Sequence, residues 1–416
     1  MKNKNKTLWM VFIAIILGVI IGPLVGEEKT FFYVRPFAVF DLFGKLFLNA
    51  LSLIVAPLVM SAIIDGISKL GKEHSFKRVG AKTILTFVSI NLIGIVIAIV
   101  ISHIFSPFWK TQVASLSQSS FVGVKEAFGS SSSQIDQLLL QFIPTNIVDA
   151  LAKNQIIGLI FFSLLFGFSI TKIPIIASTT IRQFISGIFQ TMIQMTHYIM
   201  KFLPLGVFCL IAKQFASSGW ASVKPSLGLL SAAVIAFIIL SIVILVLLKW
   251  IAKIPIYRFL KAIFPALITG FSTSSSSATL PVTIDCLEKR AGVSNKITSF
   301  IIPLGTSLNM AASGTYAFLA VFFLTHVYGI DLSILNQIVL FFITFIMTFG
   351  MPSVPSGGLF AIIIILNAMN LSLEAMGFLF ILDRIVDMFR TATNVLCGST
   401  STIIVAKLEG EKNILE

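Results

Sequence analysis

Apolar residues in this chain run in long unbroken stretches rather than alternating or lining one face. Segments 7–26, 46–64, 83–109, 154–171, 225–248, 297–330 and 332–373 contain no Asp, Glu, Lys or Arg. A helix needs about 20 apolar residues to cross a hydrocarbon core about 30 Å thick. Only helices and closed barrels satisfy their backbone polar groups inside lipid. The pattern therefore predicts helices at about 8–25, 37–70, 79–105, 154–170, 184–214 and 223–251, and a last apolar helix over 375–406. The fold class is an all-α polytopic membrane protein. The Ser-rich stretch 111–134 reads as a loop outside the membrane with no assigned role.

Two later segments break the pattern. Residues 255–290 are apolar but interrupted by six consecutive hydroxyl residues, Ser272 to Ser277, with Pro281 just beyond. Residues 332–373 are too long for one span and are broken at Gly350, Pro352, Pro355, Gly357 and Gly358. Each reads as two half-helices meeting at a polar or Gly/Pro tip. Irregular backbone at membrane depth persists only where protein buries it or a cavity is wetted. Paired broken segments point to a solute site near the midplane, closed by re-entrant hairpins. Ordinary surface loops would carry charge, which these tips lack.

Composition agrees with the pattern. Of 416 residues, 56% are hydrophobic and 11% charged, against roughly 25% charged in soluble domains. The net charge of +13 suggests nucleic acid only in a soluble protein. Here Lys2, Lys4 and Lys6 precede the first span, and Lys69, Lys72, Lys77, Arg78 and Lys82 follow the second, so the excess marks cytoplasmic loops and a cytoplasmic N-terminus. The apolar part of 1–26 is too long for a cleaved leader. Three cysteines and four scattered histidines give neither a disulfide framework nor a metal-ligand spacing, so no metal and no cofactor is expected.

The predicted last helix carries the chemistry. Asp383, Asp387, Arg390 and Asn394 fall at i, i+4, i+7 and i+11, which is one helical stripe. Arg384 lies roughly 100° away at 3.6 residues per turn, which suggests a separate purpose. Each buried charge costs at least about 2.5–3.5 kcal/mol on insertion scales and is functional by default. A self-neutralising Asp–Arg ladder would let the helix insert, yet leucine would do so more simply. A guanidinium grips a carboxylate through two bonds, a carboxylate accepts an ammonium group, and the Asn394 amide can meet a second carboxylate. Arg390, Asp387 and Asn394 thus match the polar corners of an acidic amino acid. The two hairpin tips add helix N-termini, which favour anions.

These residues resemble the dicarboxylate/amino acid:cation symporters, the family of the glutamate and aspartate transporters. Ser274-Ser275-Ser276-Ser277-Ala278-Thr279-Leu280-Pro281 is similar to the family's first hairpin tip. Pro303 to Met310 is similar to its unwound seventh helix, and Asp383 to Asn394 to its eighth-helix signature. Segments 141–167, with Pro144-Thr145-Asn146, and 44–59 also resemble family segments. Members of this family are among the transporters in which broken helices at a midplane site are known.

The resemblance implies eight transmembrane helices, two re-entrant hairpins, an elevator mechanism and a homotrimer in the cell membrane. Its division of the chain is a scaffold over 1–78 and 154–221, and a transport domain over 79–106 and 222–407. The transport domain holds hairpin 1 at 255–290, helix 7 at 295–330, hairpin 2 at 332–373 and helix 8 at 374–407. Residues 107–153 form a loop and linker, and 408–416 a tail. By position, Arg390 would hold the side-chain carboxylate of the substrate, Asp387 its ammonium, and Asn394 with Thr391 and Ser276 its main-chain carboxylate, with Ser275 a further substrate-binding residue. The second tip, near Val354 and Gly358, would be the gate.

The cation sites depart from the family. After Asn309-Met310 the family carries an acidic residue where this chain has Ala311, and a second acidic position is Gly398 here. Phe87 and Asn91 replace the usual third-helix types. Sodium wants oxygen ligands, and an anionic one offsets its desolvation. Gly305, Asn309, Asn394, Ser307 and Thr348 remain as cation-binding candidates. Coupling to protons or to fewer sodium ions is therefore expected, with Asp383 and Asp387 as the proton carriers, since a carboxylate away from water can take up a proton.

Rival functions fare worse. A C4-dicarboxylate or other amino acid carrier of the same family is the nearest, but a bare Asp387 would repel a second carboxylate. An intramembrane protease would need two carboxylates facing across a cleft or a serine beside a base, so the chain is not read as an enzyme. An anion channel would need continuous pore-lining charge.

Overall fold

The computed structural model describes residues 2–26, 35–68, 74–113, 143–152, 156–218, 223–349, 351, 356–369, 371–373, 376–412 and 414–415. The described regular structure is helical throughout. The first half holds α1 (Lys2–Val25), α2 (Pro36–Ser68), α3 (His74–Val113), the short α4 (Ile147–Ala152), α5 (Ile156–Ile170), α6 (Ile175–Ile199), α7 (Leu203–Ser218) and α8 (Val223–Ala252). Segments Pro36–Ser68, Arg78–Trp109, Ile175–Ser217, Lys224–Ala252 and Asn295–Val327 are long and apolar enough to cross a membrane. The predicted loop 111–134 lies, beyond Val113, outside the described residues.

The expected single helix over 184–214 is longer and jointed. A 3₁₀ turn at Met200–Phe202 separates α6 from α7, just before Pro204, whose missing N–H and ring clash with the preceding turn interrupt a regular helix.

Both interrupted segments fold as helix–tip–helix. The first is α9 (Ile256–Thr273) and α10 (Ser276–Asp285), followed by a π turn at Cys286–Arg290. Ser274 caps α9 in the left-handed region at φ 49°, a conformation that strains an L-residue by roughly 1–2 kcal/mol. Ser275 caps α10, accepting a hydrogen bond from the Ala278 N–H at 3.3 Å. The second is α13 (Ile334–Met347) and α14 (Gly357–Ala368). Gly350 and 352–355, which include Val354, lie outside the described residues.

Between the hairpins, α11 (Asn295–Leu308) and α12 (Ala311–Val327) are one span broken at Asn309 and Met310. A buried break must have its backbone groups paired. Asn91 Nδ2 donates to the Leu308 carbonyl at 3.0 Å, and the Ala312 N–H donates to Asn394 Oδ1 at 3.0 Å.

The final helix departs from the reading of 375–406. A short α15 (Gly377–Phe380) precedes a break at Ile381 and Leu382, and α16 (Asp383–Leu408) starts at the first charge. Asp383 and Arg384 therefore sit in its first turn, where the early N–H groups lack intrahelical partners, with Asp387 and Arg390 in the turns that follow.

Packing sorts the helices into two groups. In one, α2 packs on α5, α6 and α7, and α1 packs on α7. In the other, α16 lies against α3, α8, α9, α11 and α12, while α12 packs on α3 and α14. Small residues allow close backbone approach: a Cβ at Gly206 would lie 2.3 Å from the Phe47 ring. Between the groups, α2 meets α11 and α14, and α15 meets α7. The C-terminal tail ties the second group at one end. Lys82 Nζ reaches Glu409 at 2.5 Å, Ser294 donates to Glu411, and the Leu415 N–H donates to the Ala291 carbonyl at 3.0 Å.

Candidate functional site

The stripe on α16 is buried along its length: Asp383, Asp387, Arg390, Thr391 and Asn394 are all within 7% of full burial. Arg390 Nη2 donates to Asp387 Oδ1 in a close pair, as i,i+3 spacing allows. The other oxygen, Asp387 Oδ2, accepts the Ser356 N–H at 2.8 Å and lies 3.6 Å from Arg384 Nη1. The expectation that Arg384 serves a separate purpose is thus corrected. From the first turn of α16 its long side chain reaches the same carboxylate.

Ser356 was not singled out in the sequence. Its backbone N–H holds Asp387, and its hydroxyl donates to Asp383 Oδ2 at 3.1 Å. It sits at φ 57° as the residue before α14, so the tip of the second hairpin is fastened to both carboxylates. The available signal was a serine directly before Gly357 and Gly358 at a helix start, an N-cap pattern. Gly358 belongs to the same contact: a Cβ there would lie 1.7 Å from Arg390 Nη1. Any side chain here would displace the guanidinium or the hairpin backbone from this close approach.

Asn394 is engaged elsewhere in this arrangement. Besides accepting from Ala312, its Nδ2 donates to Ser313 Oγ at 2.8 Å, so its amide fastens the start of α12 rather than standing free. Thr391 faces α9, where its Cγ2 lies 3.7 Å from a Cβ position at Gly270. Ser275 is the cap already described.

Ser276, Gly305, Asn309, Asn394 and Gly398 line one small cavity of about 30 Å³, with Met310 and Thr306 beside them. That volume suits one or two water-sized species. No carboxylate lines it. A Cβ at Gly398 would meet nothing within 4 Å, so the position resembling an acidic ligand is open space. Asn309 Oδ1 is buried without a partner among the described residues, while its Nδ2 donates to Ser401 at 3.1 Å. Ser307 and Thr348 are outside this cavity. Thr348 instead donates to the Phe345 carbonyl and packs against Gly314 of α12. Phe87 is buried against Gly305. Among the described residues no cluster of His, Cys, Asp and Glu could hold a metal ion.

The arrangement is a self-paired charged site under a fastened hairpin tip. An incoming carboxylate can draw Arg390 away from Asp387, and an ammonium group can take its place.

Comparison with known proteins points the same way. The model of the sodium:dicarboxylate symporter family matches residues 7–408. The chain is 32% identical to a proton/glutamate-aspartate symporter of Escherichia coli, over 98% of this chain and 94% of that protein. It is 31% identical to a proton/sodium-glutamate symport protein of Bacillus caldotenax, over 99% and 96%. A C4-dicarboxylate transport protein of Bacillus subtilis is 29% identical over 98% and 94%.

Proposed function

This chain belongs to the sodium:dicarboxylate symporter family, and from that premise we propose that it imports an acidic amino acid such as aspartate or glutamate across the cell membrane. The observation that carries the reading is the buried Asp387–Arg390 pair beneath the Ser356–Gly358 tip. Arg390 would receive the side-chain carboxylate and Asp387 the ammonium. Asn394 would have to exchange one of its α12 contacts for the main-chain carboxylate, with Thr391, Ser276 and Ser275 nearby. Val354 and Gly358 belong to the gate.

The finer architecture is part of the proposal: eight spans, two re-entrant hairpins and a homotrimer. The group built around α16 would travel as an elevator against the group built on α2. The separation of packing partners supports this division. Arg78, Lys82 and the C-terminal tail share one end, which supports a cytoplasmic placement of that end.

Coupling would fall to protons or to fewer sodium ions. The small cavity keeps oxygen ligands from Gly305, Asn309 and Asn394 but has no carboxylate, which disfavours a strongly held sodium ion there. Asp383 is the better placed of the two proton-carriage candidates. It accepts a hydrogen bond from the Ser356 hydroxyl, and no Lys or Arg nitrogen lies within 4.0 Å of it among the described residues. Asp387 is held by two guanidinium groups.

The test is uptake of radiolabelled aspartate into proteoliposomes with sodium and pH gradients imposed separately. Accumulation driven by an inward proton gradient and abolished by an uncoupler is expected. Uptake driven only by sodium and indifferent to pH would refute the proton reading, and no uptake of any acidic substrate would refute the carrier reading.

A further inference from the structure

We propose that the elbow joining α8 to α9 binds the headgroup of an anionic phospholipid, through Lys249, Lys253, Arg258 and Lys261 with Trp250 and Tyr257 beside them. The inference concerns a surface outside the transport site and goes beyond the carrier reading.

Three observations carry it. The first is charge without counter-charge. All four cations are exposed, and the sequence has no Asp or Glu between Asp149 and Asp285. None of the four has a carboxylate within 4.0 Å among the described residues. The acids at this end are engaged elsewhere: Glu409 with Arg78 and Lys82, Glu411 with Ser294, and Glu288 with Asn295 and Thr298. Arg258 Nη1 donates to the Leu415 carbonyl at 3.1 Å, which leaves the other guanidinium donors for a ligand.

The second observation is the backbone. Lys253 stands at φ 56° directly after α8. Glycine or asparagine usually takes that left-handed place at a helix end, and an L-residue there is strained. Cations at the end of α8 suit its dipole, but Arg258 and Lys261 lie in the first two turns of α9, where the dipole disfavours them. Helix formation therefore does not account for the set.

The third is the apolar surface around the charge. Trp250 is 77% exposed and Tyr257 75%, with Ile251 next to Trp250 at 48%. The helix α8 is long enough to cross a membrane, so its last turn comes to the boundary of water and lipid, where Trp and Tyr settle at headgroup level. A soluble anion would meet the cations and leave these rings in water. A phospholipid meets both at once, and basic clusters next to a span attract anionic headgroups. Because α9 packs on α10 and α16, the gripped lipid would hold the base of the first hairpin and the group that carries the charged stripe.

The test reads Trp fluorescence. In a Trp9→Phe, Trp220→Phe protein only Trp109 and Trp250 remain. Trp109 is fully buried, so quenching by brominated lipid reports on Trp250. Vesicles of phosphatidylcholine are prepared with increasing shares of brominated phosphatidylglycerol or of brominated phosphatidylcholine, which gives the relative affinity of the two headgroups at this surface. Phosphatidylglycerol should be favoured by about fivefold or more, the share of one fully used cation. Lys249→Gln, Lys253→Gln and Lys261→Gln together should abolish the preference. Equal quenching by the two lipids, or a preference unchanged in the triple variant, would overturn the proposal. Loss of the preference in millimolar phosphate at constant ionic strength would also overturn it, by assigning the cations to a soluble anion. Should the triple variant fail to reach the membrane, salt decides: a preference undiminished in molar sodium chloride, where exposed charges are screened, would rule out a charge grip. No transport is measured, so this outcome is independent of the carrier reading.

Discussion

At Asp387 one carboxylate is shared by Arg390, Arg384 and the Ser356 N–H, and Gly358 of the second hairpin lies close beside this cluster. Gly358→Ala would place a methyl group 1.7 Å from Arg390 Nη1, so either the guanidinium must leave its place beside Asp387 or the second hairpin must stand off the site. Aspartate uptake should fall by about a hundredfold or more while the protein still purifies as a folded species, because the clash is confined to the tip. Near-normal uptake would mean that Gly358 does not cover Arg390 in the working protein. The residues of the α16 stripe were legible in the sequence because helical spacing alone puts i, i+4, i+7 and i+11 together. Ser356 and the role of Arg384 were not. A serine beside two glycines reads only as a tip, and the reach of Arg384 to Asp387 depends on where its helix begins.

The breaks within elements do as much to build the site as the helices. The interruption at Asn309 and Met310 survives burial because amides from two other helices meet its backbone, Asn91 on α3 and Asn394 on α16, while the Asn309 side chain ties it to Ser401. Asn91→Leu would leave the Leu308 carbonyl without this donor, at a cost of about 1–3 kcal/mol. We expect a lower melting temperature in detergent and weaker aspartate binding. Stability equal to wild type would show that water or another group satisfies the carbonyl. Both hairpins were legible, since serines or a Gly/Pro cluster inside uncharged apolar sequence leave few other structures. The joint at Met200–Phe202 and the break before Asp383 were not, because Pro204 and the residues 376–382 sit in apolar sequence that reads equally well as continuous helix. The start of α16 at Asp383 matters most, as it gathers the charges at a helix N-terminus.

On the scale of the molecule, two packed groups of helices share a limited set of contacts, and the proposed elevator would move one past the other. Gly66 of α2 and Leu308 of α11 face each other across that boundary, with a Cβ at Gly66 falling 3.1 Å from Leu308 Cδ2. Cysteines at these two positions, in a protein lacking Cys209, Cys286 and Cys397, should be bridged by mercury. The bridge should arrest uptake while leaving aspartate binding measurable; full uptake with complete bridging would rule out sliding at this boundary. The class and the order of the helices follow from the sequence, because bilayer thickness sets their length. How the groups divide does not, since in lipid every helix is apolar and only contacts distinguish partners.

The most direct measurement of the central claim, that Arg390 exchanges Asp387 for a substrate carboxylate, is equilibrium binding of aspartate and of serine to purified wild-type protein and to Arg390→Cys. Removing one member of a buried charge pair costs about 2–5 kcal/mol of binding, so aspartate affinity should fall by at least about thirtyfold, with the preference for aspartate over serine lost. Unchanged aspartate affinity in Arg390→Cys would contradict the account.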